Sequence, residues 1–78
     1  MPTPYHVKIA PTAHRQILHL NHKQQKNVLK MIETLAMNPR APGATKIEGM
    51  TGLYWQELAP LRLIYKIEEQ EVLVLMVK

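Results

Sequence analysis

Any chemistry in this chain falls to a short set of residue types. Its 78 residues include no Cys, Ser, Asp or Phe. That absence removes disulfides, thiolate metal sites, Cys and Ser nucleophiles, paired aspartates and EF-hand loops. What remains is His, Tyr, Glu, Lys, Arg and Thr, side chains suited to moving protons and holding anions. The four His are His6, His14, His19 and His22. His19 and His22 could share a metal if they lay on one helix. Asn21 between them reads as a helix cap, and no acidic residue stands nearby to complete a site. The reading is therefore surface histidines, with no metal and no cofactor. Lys23, Lys26 and Lys30 repeat at helical spacing and form one cationic face, which suits contact with nucleic-acid phosphates or simply with solvent.

Charge is distributed unevenly. Residues 1–47 carry Lys8, Arg15, Lys23, Lys26, Lys30, Arg40 and Lys46 against Glu33 alone, a balance of +6. Residues 48–78 carry Arg62, Lys66 and Lys78 against five Glu, a balance of −2. A basic half of this kind suits a polyanionic partner.

The elements that position these residues can be read from periodicity and punctuation. Tyr5 to Ile9 alternates apolar and polar and predicts a strand. Pro11 breaks it, and Thr12 is the expected cap of a first helix whose apolar face is Ala13, Ile17 and Leu20. Asn21 followed by Gln24 is a capping box. It opens a second helix to about Met37 with Val28, Ile32 and Leu35 inward. Asn38-Pro39 ends it, and the two helices should form a hairpin. Residues 39–52, punctuated by Pro39, Pro42, Gly43, Gly49 and Gly52, read as loop. Strands are expected over Leu53–Leu58, Leu61–Ile67 and Val72–Val77, the last apolar on both faces and so central. Ala59-Pro60 and the run from Glu68 to Glu71 supply the turns. The order β-α-α-β-β-β predicts one α+β domain over residues 1–78, the helical hairpin on one face of a mainly antiparallel sheet. The residues from Met1 to His6 lack an apolar leader core. The longest apolar run, Val72–Val77, is far short of the roughly 20 residues a membrane span needs. A cytoplasmic protein with no membrane contact is the expectation.

At this level the sequence resembles a known family. Ile9-Ala10-Pro11-Thr12-Ala13, Leu35-Ala36-Met37-Asn38-Pro39-Arg40, Lys46-Ile47-Glu48-Gly49, Gly52-Leu53-Tyr54 and Leu61-Arg62-Leu63-Ile64-Tyr65 are similar, in order and spacing, to the RelE/ParE superfamily. These are toxins of type II toxin–antitoxin systems. The resemblance implies a RelE-like fold and one of two targets. RelE-like members cleave messenger RNA in the ribosomal A site without a metal, a ribose 2′-hydroxyl attacking the adjacent phosphate. ParE-like members poison DNA gyrase. A third possibility is a catalytically inactive toxin fold that acts through antitoxin or operator binding. Both active kinds are silenced by an antitoxin, here expected to be acidic because the toxin is basic, and the complex should be more stable than the isolated chain. RNA cleavage fits a chain without Ser, Cys or Asp, because the nucleophile belongs to the substrate.

Carried over residue by residue, Arg62 matches the family's strand arginine facing the scissile phosphate, and a guanidinium fork suits that task; the alternative is a surface arginine bridging to Glu57 or Glu68. Lys46 matches the family's lysine before the glycine, which could contact RNA backbone or be a solvated loop lysine. Tyr54 matches an aromatic expected in the core or against the antitoxin, and Tyr65 is expected in the core. Two departures stand out. Where many RNase members carry Lys or Arg, this chain has Trp55 and Glu57. Trp55 could stack on a base, or serve as a core or antitoxin contact. Glu57 would repel RNA unless it acts as a general base. Members also commonly continue with a Gly-His-Arg-like segment and a later tyrosine, which would begin after Lys78, so the expected catalytic set is incomplete.

Overall fold

The computed structural model describes residues 5–78. Met1–Pro4, on which part of the expectation about a leader falls, lie outside them. Seven elements follow in order: β1 (His6–Ile9), α1 (Pro11–Leu18), α2 (His22–Met37), β2 (Thr45–Lys46), β3 (Leu53–Leu58), β4 (Leu61–Glu68) and β5 (Glu71–Val77). The strands form one sheet in the order β1-β5-β4-β3-β2. β1 runs parallel to β5, and every other pair is antiparallel. The expected α+β architecture is present, and β5 does lie between two neighbours.

Local chemistry accounts for the helix starts. In α2 the Asn21 side chain accepts from the Gln24 N–H (2.8 Å) and the Gln24 side chain accepts from the Asn21 N–H (3.4 Å), the expected capping box. α1 starts differently from the sequence reading. Pro11, with its φ already set for a helix and no N–H to satisfy, takes the first helical position. Ala10 is therefore the cap, and Thr12 lies inside the helix without a capping role. Leu20 falls beyond the end of α1 in the short link to α2. There the Gln25 side-chain amide donates to the Ile17 carbonyl (2.9 Å) and ties the two helices together.

The core lies between the helices and one sheet face. Ala13 and Ile17 of α1 and Val28 and Leu35 of α2 are buried with Leu63, Tyr65, Ile67, Val72, Val74 and Val77. The Gln16 side chain accepts from the Val77 N–H (2.7 Å), fixing α1 to the end of β5.

Three details differ from the pattern-based reading. The 39–52 loop contains β2, two residues that pair with Tyr54 and Trp55. A pair that short carries no periodicity of its own and forms because β3 offers an edge. The last hairpin is tighter than a four-residue turn: Glu68 pairs with Glu71, leaving Glu69, at φ 50°, and Gln70 to close it. The Glu68 and Glu71 carboxylates would repel across the strands. Lys66 reaches Glu68 (3.8 Å) and Lys8 reaches Glu71 (3.0 Å), which offsets the repulsion. Finally, β5 bulges. Tyr65 pairs with Val74 but Ile64 pairs with Met76, so Leu75 has no partner in register. The extra residue reverses the alternation, which is why Val74 and Val77 are both buried.

Candidate functional site

Register assigns every strand residue to a face, since directly opposed residues share one. Tyr54, Gln56, Leu63, Tyr65, Val72 and Val74 face the helices. The opposite face presents Trp55 opposite Ile64 and Ile64 opposite Met76, all half-buried, and Glu57 opposite Arg62. Beyond the end of β5, the Lys78 N–H donates to the Arg62 carbonyl (3.0 Å) and the Arg62 N–H to the Lys78 carbonyl (2.6 Å). That exchange makes the two residues directly opposed. Glu57, Arg62 and Lys78 thus form one row across three strands, beside an apolar row of Trp55, Ile64 and Met76.

Within this patch the Arg62 guanidinium does not pair with Glu57. It leans diagonally over the Trp55 ring, its central carbon 4.5 Å from the centroid, a cation–π arrangement. Trp55 is accordingly not a core residue. The ion pairs among the described residues both lie toward the β4–β5 turn, Lys8 with Glu71 and Lys66 with Glu68. Charge is neutralised there and left free around Arg62, where an anion would find an always-charged planar fork on a rigid strand.

The tyrosines belong to the other face. Tyr65 is fully buried, and its hydroxyl donates to the Pro39 carbonyl (2.7 Å). Burial first, then the neighbouring Tyr54, pushes its phenol up to about 12, with Gln56 and Arg40 pulling the other way. It stays protonated and is unsuited to proton transfer at neutral pH. Tyr54 stacks on Tyr65 with centroids 6.1 Å apart, and Arg40 lies 6.0 Å above the Tyr54 ring. Gln56, buried on the same face, anchors the 39–44 segment. With its amide oriented to satisfy both partners, its oxygen accepts from the Ala44 N–H (3.1 Å) and its nitrogen donates to the Gly43 carbonyl (3.3 Å).

The sequence-derived site residues therefore separate into groups. Arg62 and Trp55 are in contact, with Glu57 alongside. Lys46 is exposed on β2 opposite Tyr54, which puts it on the helix side of the sheet rather than beside Arg62. Lys23, Lys26 and Lys30 are exposed on the outer surface of α2, across the helical layer from the Arg62 face. His14, His19 and His22 are exposed, and no group of three or more His, Cys, Asp or Glu capable of holding a metal occurs among the described residues. Sequence reasoning missed Lys78 as a neighbour of Arg62. Plain alternation along β5 puts it on the core side, and the bulge at Leu75 turns it outward. Among the described residues no helix is long and apolar enough to cross a membrane.

This arrangement, a helical hairpin on one face of a five-stranded sheet whose other face is open, is the fold of RelE-type proteins. The archaeal RelE–RelB complex from Pyrococcus horikoshii superposes with a TM-score of 0.86 at 23% identity, over 96% of this chain and 93% of that one. The intact Escherichia coli RelBE toxin–antitoxin complex gives 0.82 at 22% identity, over 94% and 93%. The YoeB dimer from Staphylococcus aureus gives 0.79 at 18% identity, over 96% and 95%. No protein-family model and no curated protein matches the sequence.

Proposed function

We propose that this chain is the toxin of a toxin–antitoxin pair, an endoribonuclease that cuts messenger RNA on the ribosome and is silenced by an acidic antitoxin. The observation that carries this reading is Arg62. It stands near the start of β4, the central strand of the sheet, on the open face, with no ion pair among the described residues, in a fold shared with RelE proteins seen with RelB. An RNA phosphate approaching that face meets a guanidinium able to make two contacts and to stabilise the charge that builds up when a 2′-hydroxyl attacks. The protein supplies no nucleophile, so the lack of Ser, Cys and Asp is no obstacle. The lysine face of α2 serves as a second, sequence-independent contact to ribosomal RNA, and its contribution weakens as salt rises.

Induced expression, with transcript ends mapped and plasmid supercoiling followed, tests the reading. Growth arrest with mRNA cuts at defined positions, lost in Arg62→Ala, is the expected result. Relaxed plasmid with intact transcripts would instead favour gyrase as the target. Absence of arrest from a folded product would favour an inactive toxin fold. The antitoxin should be encoded by a short acidic reading frame beside this one, and its product should co-purify with the chain and raise its melting temperature.

A further inference from the structure

An RNA-cleaving centre needs a proton acceptor for the attacking 2′-hydroxyl and a source of a proton for the departing oxygen. The histidines and tyrosines are placed elsewhere. His6 sits opposite Glu71 at the far end of the open face, and His14, His19 and His22 belong to the helical layer. Tyr54 and Tyr65 face the core. Among the described residues, the titratable side chains flanking Arg62 in register are Glu57 on β3 and Lys78 beyond β5.

We propose that Glu57, Arg62 and Lys78 act as one catalytic row, with Glu57 as the general base and Lys78 as the general acid. The proposal rests on the RNA-cleavage reading above. Three observations carry it. None of the three side chains is in an ion pair among the described residues, although Glu57 and Arg62 are directly opposed. Trp55 holds the guanidinium at its ring and away from Glu57, so the carboxylate is not consumed by its natural partner. The register also puts the two groups on opposite sides of Arg62. Neighbouring strands are about 4.8 Å apart, so the Glu57 and Lys78 positions flank that of Arg62 at roughly this spacing, on β3 and beyond β5. An in-line displacement likewise has the nucleophile entering on the side of phosphorus opposite the departing oxygen.

In the reaction so arranged, the Glu57 carboxylate takes the proton of the 2′-hydroxyl. The 2′-oxygen forms a bond to phosphorus while the bond to the 5′-oxygen breaks, and the Lys78 ammonium gives that oxygen a proton. The products are a 2′,3′-cyclic phosphate and a 5′-hydroxyl. Solvent then returns a proton from Glu57 to Lys78. Glu57 thereby becomes useful where it would otherwise repel RNA.

The test uses the purified chain on ribosomes programmed with mRNA, in two versions: ordinary RNA, and RNA with a 5′-bridging sulfur at the cut site, whose thiolate leaves without a proton. Binding is followed by the emission of Trp55, the chain's single tryptophan. Glu57→Gln should cut both substrates about 100-fold or more slowly while binding at least as tightly as the wild type does. Lys78→Ala should be slow on ordinary RNA and regain the wild-type rate on the sulfur-linked substrate. A Glu57→Gln variant that cuts at the wild-type rate overturns the proposal alone, as does a Lys78→Ala defect that persists on the sulfur-linked RNA. A wild-type chain that leaves RNA intact overturns it together with the reading it rests on.

Discussion

Replacing Arg62 by Ala separates what the residue does for the fold from what it does for RNA. Its side chain is exposed, makes no ion pair among the described residues, and spends its charge on the Trp55 ring at 4.5 Å. A cation–π contact at an exposed site is worth about 0.5–1 kcal/mol. The backbone bonds between Arg62 and Lys78 survive the substitution. Stability should therefore fall by about 1 kcal/mol or less; a full ~1 kcal/mol would lower the melting temperature by roughly 4–8 °C in a domain this small. Cleavage should fall much further. Removing a preorganised charge-stabilising donor typically costs about 10²–10³ in rate, or about 2.7–4 kcal/mol. Arg62→Lys keeps the charge and loses the fork and the stack, so its rate should lie between the two. Urea titration followed by Trp55 emission measures the first quantity, and primer extension on ribosome-bound mRNA measures the second. If Arg62→Ala cuts within about threefold of the wild type, an effect under about 0.7 kcal/mol, Arg62 is not the phosphate contact. If it loses more than about 3 kcal/mol of stability, well beyond a surface stack, Arg62 has a structural role that its exposure contradicts.

Tyr65→Phe should change the alkaline stability. The unfolded phenol ionises near pH 10 while the folded one holds its proton to about 12. The stabilisation from this group is thus complete below pH 10 and is lost between 10 and 12, at up to about 1.36 kcal/mol per pH unit. Denaturant titrations from pH 8 to 12 should show that loss in the wild type and not in Tyr65→Phe, and parallel curves would refute it. The same variant should be less stable by about 1–3 kcal/mol at neutral pH, because the Pro39 carbonyl loses its donor. Gly52→Ala should be more damaging than Gly49→Ala in a thermal melt. Both sit at positive φ, but a Cβ at Gly52 would lie 2.8 Å from the Ile67 carbonyl oxygen and one at Gly49 would meet nothing within 4 Å. The Gly49 change should cost about 1 kcal/mol from backbone strain alone, so equal melts would refute the contact. Asn21→Ala should remove about 0.5–2 kcal/mol through the lost cap, while Thr12→Ala, inside α1, should leave stability nearly unchanged.

How far the sequence could be read depended on how local each signal was. The Asn21–Gln24 box and the span of β3 depend on neighbours within a few residues, and both matched the structure. Pro11 and Thr12 competed for the start of α1, and proline's fixed φ decided it. β2 was illegible because two residues show no period, and its pairing belongs to the strand that recruits it. For the site, the open face was readable from the alternation of β4, which puts Arg62 opposite in sense to Leu63 and Tyr65. Trp55 was not, since an indole fits a core as well as a surface. The position of Lys46 was also hidden, because nothing in a Gly-rich loop says which side of an edge strand a side chain will take.

The sequence by itself determined the layers of this protein: period 3.6 in two helices, period 2 in the strands, a basic first half and a strand arginine. These follow from which residues prefer water at each step along the chain. Tertiary structure alone decided which charges meet. The bulge at Leu75 turns Val77 into the core and Lys78 out beside Arg62, reversing what alternation predicts. Such a bulge arises from fitting β5 against both β4 and the helices at once, a packing requirement that no local stretch of sequence contains.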